Sequence, residues 1–199
     1  MRKYYHTNSK VLVVMFFIII GCEGIFIPDP IDPRIPKYTE EGNNVAGAII
    51  DNKIWESIVT SGFPSIYDQP FIRLWQLNDS LSLRFSGSTS GESSSIEFHL
   101  SGLDITKFED LVALEGQKIQ LDGINNAGYY IENEPPMTYD NKGIGQIYFR
   151  SVRIKNSSSQ IILSGTFGFS TTVPNGVSTK VSFGRFDYQI SEDSNFLTE

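Results

Sequence analysis

The sequence predicts an all-β protein, an antiparallel β-sandwich or partly open β-barrel with one short helix, and three observations carry that prediction. The composition is aromatic and punctuated by glycine, with 14 Phe, 9 Tyr and 17 Gly against 3 Met in 199 residues, which suits pleated sheets and turns better than helices. Apolar and polar residues alternate with period two through the middle of the chain, as in strands that cover a core with one face. In the carboxyl-terminal third the apolar parity inverts inside two long segments, which a strand achieves only by inserting an extra residue.

At the amino terminus, Arg2, Lys3 and Lys10 precede the unbroken hydrocarbon of Val11 to Ile20, so residues 1–21 read as a signal peptide. The run is too short to span a bilayer, which takes about 20 apolar residues. Its ending, Ile19-Ile20-Gly21-Cys22, resembles a bacterial lipobox. That resemblance implies cleavage before Cys22, acylation of its thiol and amine, palmitate included, and a lipid anchor in the outer membrane, on the periplasmic or the surface face. Several acyl chains hold essentially permanently. Cys22 is the only cysteine, which excludes an internal disulfide and a Cys-built metal cluster.

Removing residues 1–21 takes away three of the 16 basic and none of the 23 acidic side chains, leaving a net charge of −10. Nucleic acid is a poor partner for such a chain, because Arg150, Arg153 and Lys155 are its densest basic stretch and read as a solvated strand face. Residues 22–44 carry Pro28, Pro30, Pro33 and Pro36, a composition that resists helix and sheet and reads as an extended tether.

From residue 45 onward the signals are those of a single β domain reaching to 190, with 191–199 a flexible tail. Val45 to Ile50 and Ile54 to Thr60 flank Asp51-Asn52-Lys53, a tight hairpin turn. Leu81, Leu83 and Phe85, then Ile96, Phe98 and Leu100, alternate with polar residues, and the Ser/Gly run 86–95 between them reads as a flexible loop. Thr106 and Glu109 have capping-box spacing, Phe108, Leu111 and Val112 follow at helical spacing, and Gly116 is the stop, predicting a helix over 107–115. Strands are expected at 145–154, 160–170 and 177–190, with bulges near Arg150-Ser151 and at Gly184.

Three of these segments, Gly47 to Trp55, Ser164 to Phe169 and Gly184 to Asp187, resemble the opening hairpin and closing strands of an uncharacterised, domain-of-unknown-function group of Bacteroides-type outer-membrane lipoproteins. Asn52 stands where that group usually carries Gly, and the match covers the two ends of the domain. The resemblance implies an all-β extracytoplasmic domain and brings no catalytic residue, cofactor or ligand with it.

Candidate chemistry is sparse. His99 is the only histidine after the leader and lies on the polar face of its strand, so a Ser-His-acid arrangement could form only around it, and no nucleophile-elbow motif accompanies it. Carboxylate pairs for glycan hydrolysis could be built from Glu132 and Glu134 or from Asp51 and Glu56, all beside turns. The run from Asp122 to Asn126 lacks the acidic alternation of a calcium loop, and no metal site is expected. Tyr129, Tyr130 and Tyr139, in the stretch 125–143, are the candidate ligand-contact residues, suited to a glycan or protein partner; a plain hairpin with its rings on the sheet is the alternative. Trp55 and Trp75 read as core anchors. The expected function is a noncatalytic binding or assembly module, against a small-ligand carrier with a barrel pocket or a carboxylate-dependent hydrolase.

Overall fold

A computed structural model describes residues 32–57, 70–75, 79–132, 142–155, 159–172 and 178–199. Cys22, Glu134 and Tyr139 lie outside them, as do Met137 to Asp140, which the plain hairpin would pair with Tyr129 to Ile131. Turn chemistry sets the first hairpin, β1 (Val45–Ile50) with β2 (Lys53–Ser57): Asp51 and Asn52 take φ of 45° and 73°, the left-handed pair that a two-residue turn between twisted strands requires. The second hairpin, β4 (Ser80–Thr89) with β5 (Glu92–Ser101), turns at Ser90 and Gly91 alone. The expected loop over 86–95 is thus corrected: its small side chains continue the two strands. Gly87 itself has to be bare, since a Cβ there would stand 2.5 Å from Trp55 Cζ2.

The remaining elements are β3 (Phe71–Trp75), a 3-10 helix (Phe108–Leu114), β6 (Lys118–Leu121), β7 (Ala127–Glu132), β8 (Gly143–Ile154), β9 (Gln160–Thr172), β10 (Ser178–Ser191), a one-turn helix α1 (Glu192–Asn195) and β11 (Phe196–Thr198). Eight strands close antiparallel into a barrel, in the order β1, β2, β4, β5, β7, β8, β9, β10 and back to β1. Barrel, not sandwich, is therefore the architecture. Two wall strands are split. β2 and β3 both pair with β4, at its two ends, and β6 and β7 both pair with β8. The β7–β8 seam rests on one pair, Gly128 opposite Gly143, both bare because the Phe169 ring lies against them.

Register shifts between Phe149 and Ser151, and between Val181 and Gly184, stand where the parity inversions place bulges. Each coils its strand so that apolar side chains on both sides of the bulge reach the core. At the first, Glu115 accepts the Val152 N–H. Aromatic rings pack together in the interior: the Phe85 ring lies 5.1 Å from Phe186 and 5.4 Å from Tyr188, and Phe98 lies 5.2 Å from Phe167. The 3-10 helix brings Phe108, Leu111 and Leu114 into this core. Its cap is Asp110, not Glu109: one carboxylate oxygen accepts from Thr106 N, Thr106 Oγ1 and Lys107 N.

Two boundaries differ from expectation. Residues 32–44, read as tether, lie on the barrel, with Ile35 4% exposed. Asp187 holds them: its carboxylate accepts from Thr39 Oγ1 (2.5 Å), the N–H groups of Glu41, Gly42 and Asn43 (3.2, 2.8 and 3.1 Å) and Ser164 Oγ (2.7 Å). Arg150 pairs with Glu40 at 3.1 Å and Arg153 donates to the Glu40 carbonyl at 2.6 Å, so the basic stretch fastens this strap instead of only facing solvent. The expected tail at 191–199 is likewise ordered: β11 pairs parallel with β3, Phe196 packs on Phe108, and Asn195 bridges Ser191 N and the Pro70 carbonyl.

Candidate functional site

Register decides what the strands bring together. On the outward face of β3, β4, β5 and β7, one row runs Phe71, Arg84, Glu97, Tyr129 and the next runs Arg73, Ser82, His99, Ala127. Glu97 sits at the centre and is 5% exposed. Its Oε1 accepts from His99 Nε2 at 2.6 Å and from Ser82 Oγ at 2.7 Å; a carboxylate only accepts, so Nε2 carries the proton. Burial pushes the carboxyl up, but the hydrogen bonds from His99 and Ser82, with the charges of His99 and Arg84, outweigh it and hold Glu97 below the usual carboxylate range. It is an anion at neutral pH.

The bonding around Glu97 is incomplete. Glu97 Oε2 and Ser95 Oγ, two residues apart on the same face of β5, are buried and make no hydrogen bond. An unsatisfied buried polar atom costs about 1–3 kcal/mol. Aromatic rings frame the cluster: His99 lies 4.7 Å from Tyr129 and 6.3 Å, edge-on, from Trp75. The Arg73 guanidinium sits over the Phe71 and Trp75 rings at 5.3 and 5.4 Å and reaches Glu199 at 3.4 Å. His99, Trp75, Arg73, Phe71 and Arg84 are half-buried, whereas Ser82, Ala127 and Tyr129 are buried like Glu97.

Of the sequence candidates, Trp55 is a core anchor, 0% exposed. Trp75 is not; it stands on the outward face because Ile72 and Leu74 take the inward positions of β3. Tyr129 and Tyr130 fall on β7 and, as consecutive strand residues, point to opposite faces. Tyr129 joins the Glu97 row. Tyr130 points inward, bonds Thr89 Oγ1 at 2.9 Å, and has its hydroxyl pushed up by burial. Beside it is a hollow of about 90 Å³ lined by Lys53, Thr89, Glu92, Ser94, Tyr130 and Glu132, against roughly 300–1,000 Å³ for typical ligand sites.

The carboxylate pair Asp51 and Glu56 is not assembled: Asp51 accepts Lys180 N at 2.8 Å in its turn, and Glu56 lies outward at the other end of β2. Asp122 closes its own turn, accepting from the N–H groups of Ile124, Asn125 and Asn126. Among the described residues, no cluster of three or more His, Cys, Asp or Glu is placed to hold a metal. Ser82 stands opposite His99, but its hydroxyl donates to the carboxylate and not to the imidazole, unlike a nucleophilic Ser-His-acid relay. Period two put Glu97 and His99 on one face; the Ser82, Trp75 and Tyr129 neighbours depended on cross-strand register, which a sequence does not print.

Comparison of the chain with protein-family models, curated proteins and solved structures returned no match.

Proposed function

We propose that this chain is a noncatalytic binding module of the cell envelope, tethered to the outer membrane by lipid on Cys22, which takes its partner on the outward face of β3, β4, β5 and β7. The observation that carries the reading is the half-buried Trp75, His99 and Arg73 set around a buried carboxylate with one oxygen left unbonded. Recognition faces combine stiff aromatic area with a few placed polar groups in this way. The bonding of Ser82 to Glu97 supports recognition over acyl transfer, and the ring-filled interior supports it over a carrier. The Gly-Cys ending of the leader supports the anchor.

The test has two arms. Full-length chain made in a Gram-negative host is expected in the membrane fraction with labelled palmitate, and Cys22→Ser is expected to lose both; unchanged partition refutes the anchor. The detergent-purified protein is then applied to panels of neutral glycans and of envelope peptides. Binding lost in Trp75→Ala and His99→Ala, with melting temperature kept, supports the face. Binding equal in the variants, or none on either panel, refutes it.

A further inference from the structure

We propose that the outward face of β8, β9 and β10, between the strap and the Asp51 turn, rests on an anionic phospholipid bilayer. Ile124, Ile144 and Phe183 enter its headgroup layer, and Lys118, Lys142 and Lys180 meet its phosphates. This rests on the reading of Cys22 as the lipid anchor and goes beyond it by naming the side of the barrel that the membrane takes.

Register assembles the face. Ile144 on β8 stands opposite Ser170 on β9, and Ser170 stands opposite Lys180 on β10. One step along, Gln146 pairs with Gly168, and the bulge that holds Phe183 lies beside Gly168, because Phe169 pairs with Val181 and Phe167 with Gly184. Ile124, Ile144 and Phe183 are 79%, 64% and 42% exposed. The turn that carries Ile124 lies against Ile144, whose Cγ1 is 3.3 Å from where a Gly123 Cβ would stand. Phe183 faces solvent at a φ of 55°, a region that bulky side chains rarely hold. Gly168 is the low point: a Cβ there would find no atom nearer than 3.5 Å, whereas every other described glycine within a strand has one within 3 Å. Nothing in the barrel requires it to be bare, which marks a surface that something outside approaches closely.

Charge and reach select the occupant. Residues 118–121, 143–149, 166–172 and 178–184 include Lys118 and Lys180 and no acid, with Lys142 just before β8, in a chain whose net charge is −7. The neighbouring Asp51 and Asp122 accept backbone N–H groups. Exposed hydrocarbon rimmed by lysine suits a phospholipid surface, since the side chains enter the headgroup boundary and each lysine is drawn to the anionic lipid. A second copy seated face to face would oppose the same lysines. The strap covers the other half of these strands, through Glu40 on Arg150 and Arg153 and Thr39 on Asp187. Its Ile35 and Pro36 lie on Gly47, the partner of Arg185, two residues from Phe183. Asp32 is then only ten residues on from Cys22, a reach of about 36 Å at full extension. In the ring of eight, β9 is four strands from β4 in either direction, so this seating turns the candidate binding face away from the bilayer.

With Cys22, the only cysteine, acylated, an introduced cysteine is the one free thiol. Ile124→Cys, Ile144→Cys and, as control, Ser93→Cys on exposed β5 therefore each take a single nitroxide label. The full-length acylated proteins are placed in vesicles of phosphatidylethanolamine with phosphatidylglycerol, and flotation with the vesicles is scored first. Labels at 124 and 144 are expected to favour collision with oxygen over a water-soluble nickel chelate several-fold more than the label at 93. That preference should fall several-fold in pure phosphatidylcholine, and when Lys118→Glu, Lys142→Glu and Lys180→Glu are combined, because the attraction is electrostatic. Thermal melts identify any variant that fails to fold, and Ile124→Cys, in an exposed turn, keeps the test decisive if Ile144→Cys fails. Equal ratios at all three sites in floated protein, or a preference indifferent to lipid charge and to the lysines, overturn the inference and leave the anchor standing. Protein that does not float refutes the anchor, and the inference with it. A preference that arises only at high protein-to-lipid ratio shows a second copy on the face and overturns the lipid assignment.

Discussion

The Asp187 clasp gives the sharpest stability prediction. Asp187→Ala removes an acceptor that serves five donors, three N–H groups of the strap and the hydroxyls of Thr39 and Ser164. Glu41 and Asn43 are exposed and their amides regain water, whereas Ser164 is 0% exposed and Gly42 is half-buried. Two stranded donors at ~1–3 kcal/mol each put the loss near 3 kcal/mol. For a chain of this size that lowers Tm by about 6–12 °C. Asp187→Asn keeps one acceptor but turns an NH₂ toward the strap, so it should fall between. Burial pushes the Asp187 carboxyl up, but the hydrogen bonds from Thr39, Ser164, Gly42 and Asn43 together hold it below its ordinary value. Its contribution is therefore present above about pH 4 and lost as pH falls through the depressed value. Melting by circular dichroism from pH 7 to pH 3, for wild type and Asp187→Ala, should show a gap that closes on acidification. Hydrogen exchange at residues 40–44 should quicken in the variant at pH 7. A gap under about 2 °C at neutral pH, or one that persists undiminished at pH 3, would show that the strap is held by something else.

Two further changes test the packing. Gly87→Ala should destabilise the barrel by about 1–3 kcal/mol, because its Cβ meets Trp55 and the Glu56 carbonyl; an unchanged urea midpoint would mean that the indole does not lie there. Deleting residues 192–199 uncovers Phe108 and the free edge of β3, so the truncated chain should lose roughly 2–4 kcal/mol, as when a core aromatic is deleted, and gain a tendency to associate through that edge; a monomer of wild-type stability in sedimentation and urea unfolding would contradict the docking of β11.

Much of the barrel was legible in the chain because inward residues announce themselves. The parity inversions at Arg150-Ser151 and Gly184 located both bulges, and Asp51-Asn52 located the first hairpin. Misreadings came where local composition spoke against a distant partner. Pro33 and Pro36 argue for a free tether, but the strap is fixed by Asp187, 145 residues from Gly42. Ser86 to Ser95 has loop composition, yet those residues continue β4 and β5, and Gly87 is bare because Trp55 comes close. The candidate site was less legible still: Tyr129 and Tyr130 stood out as neighbours although a strand sends them apart, and Glu97, with nothing to mark it among 23 acids, became notable only when register set it among Ser82, His99 and Arg84.

The cylinder is fastened by segments far apart in sequence. Val45 is zipped to Asp187, and the residues just before Val45 are knotted to the same aspartate. No portion that stops short of β10 can finish the ring, since β1 closes on β10 and long-range pairing forms late. Until β10 is available to meet β1, the preceding strands form an open sheet with two unclosed edges.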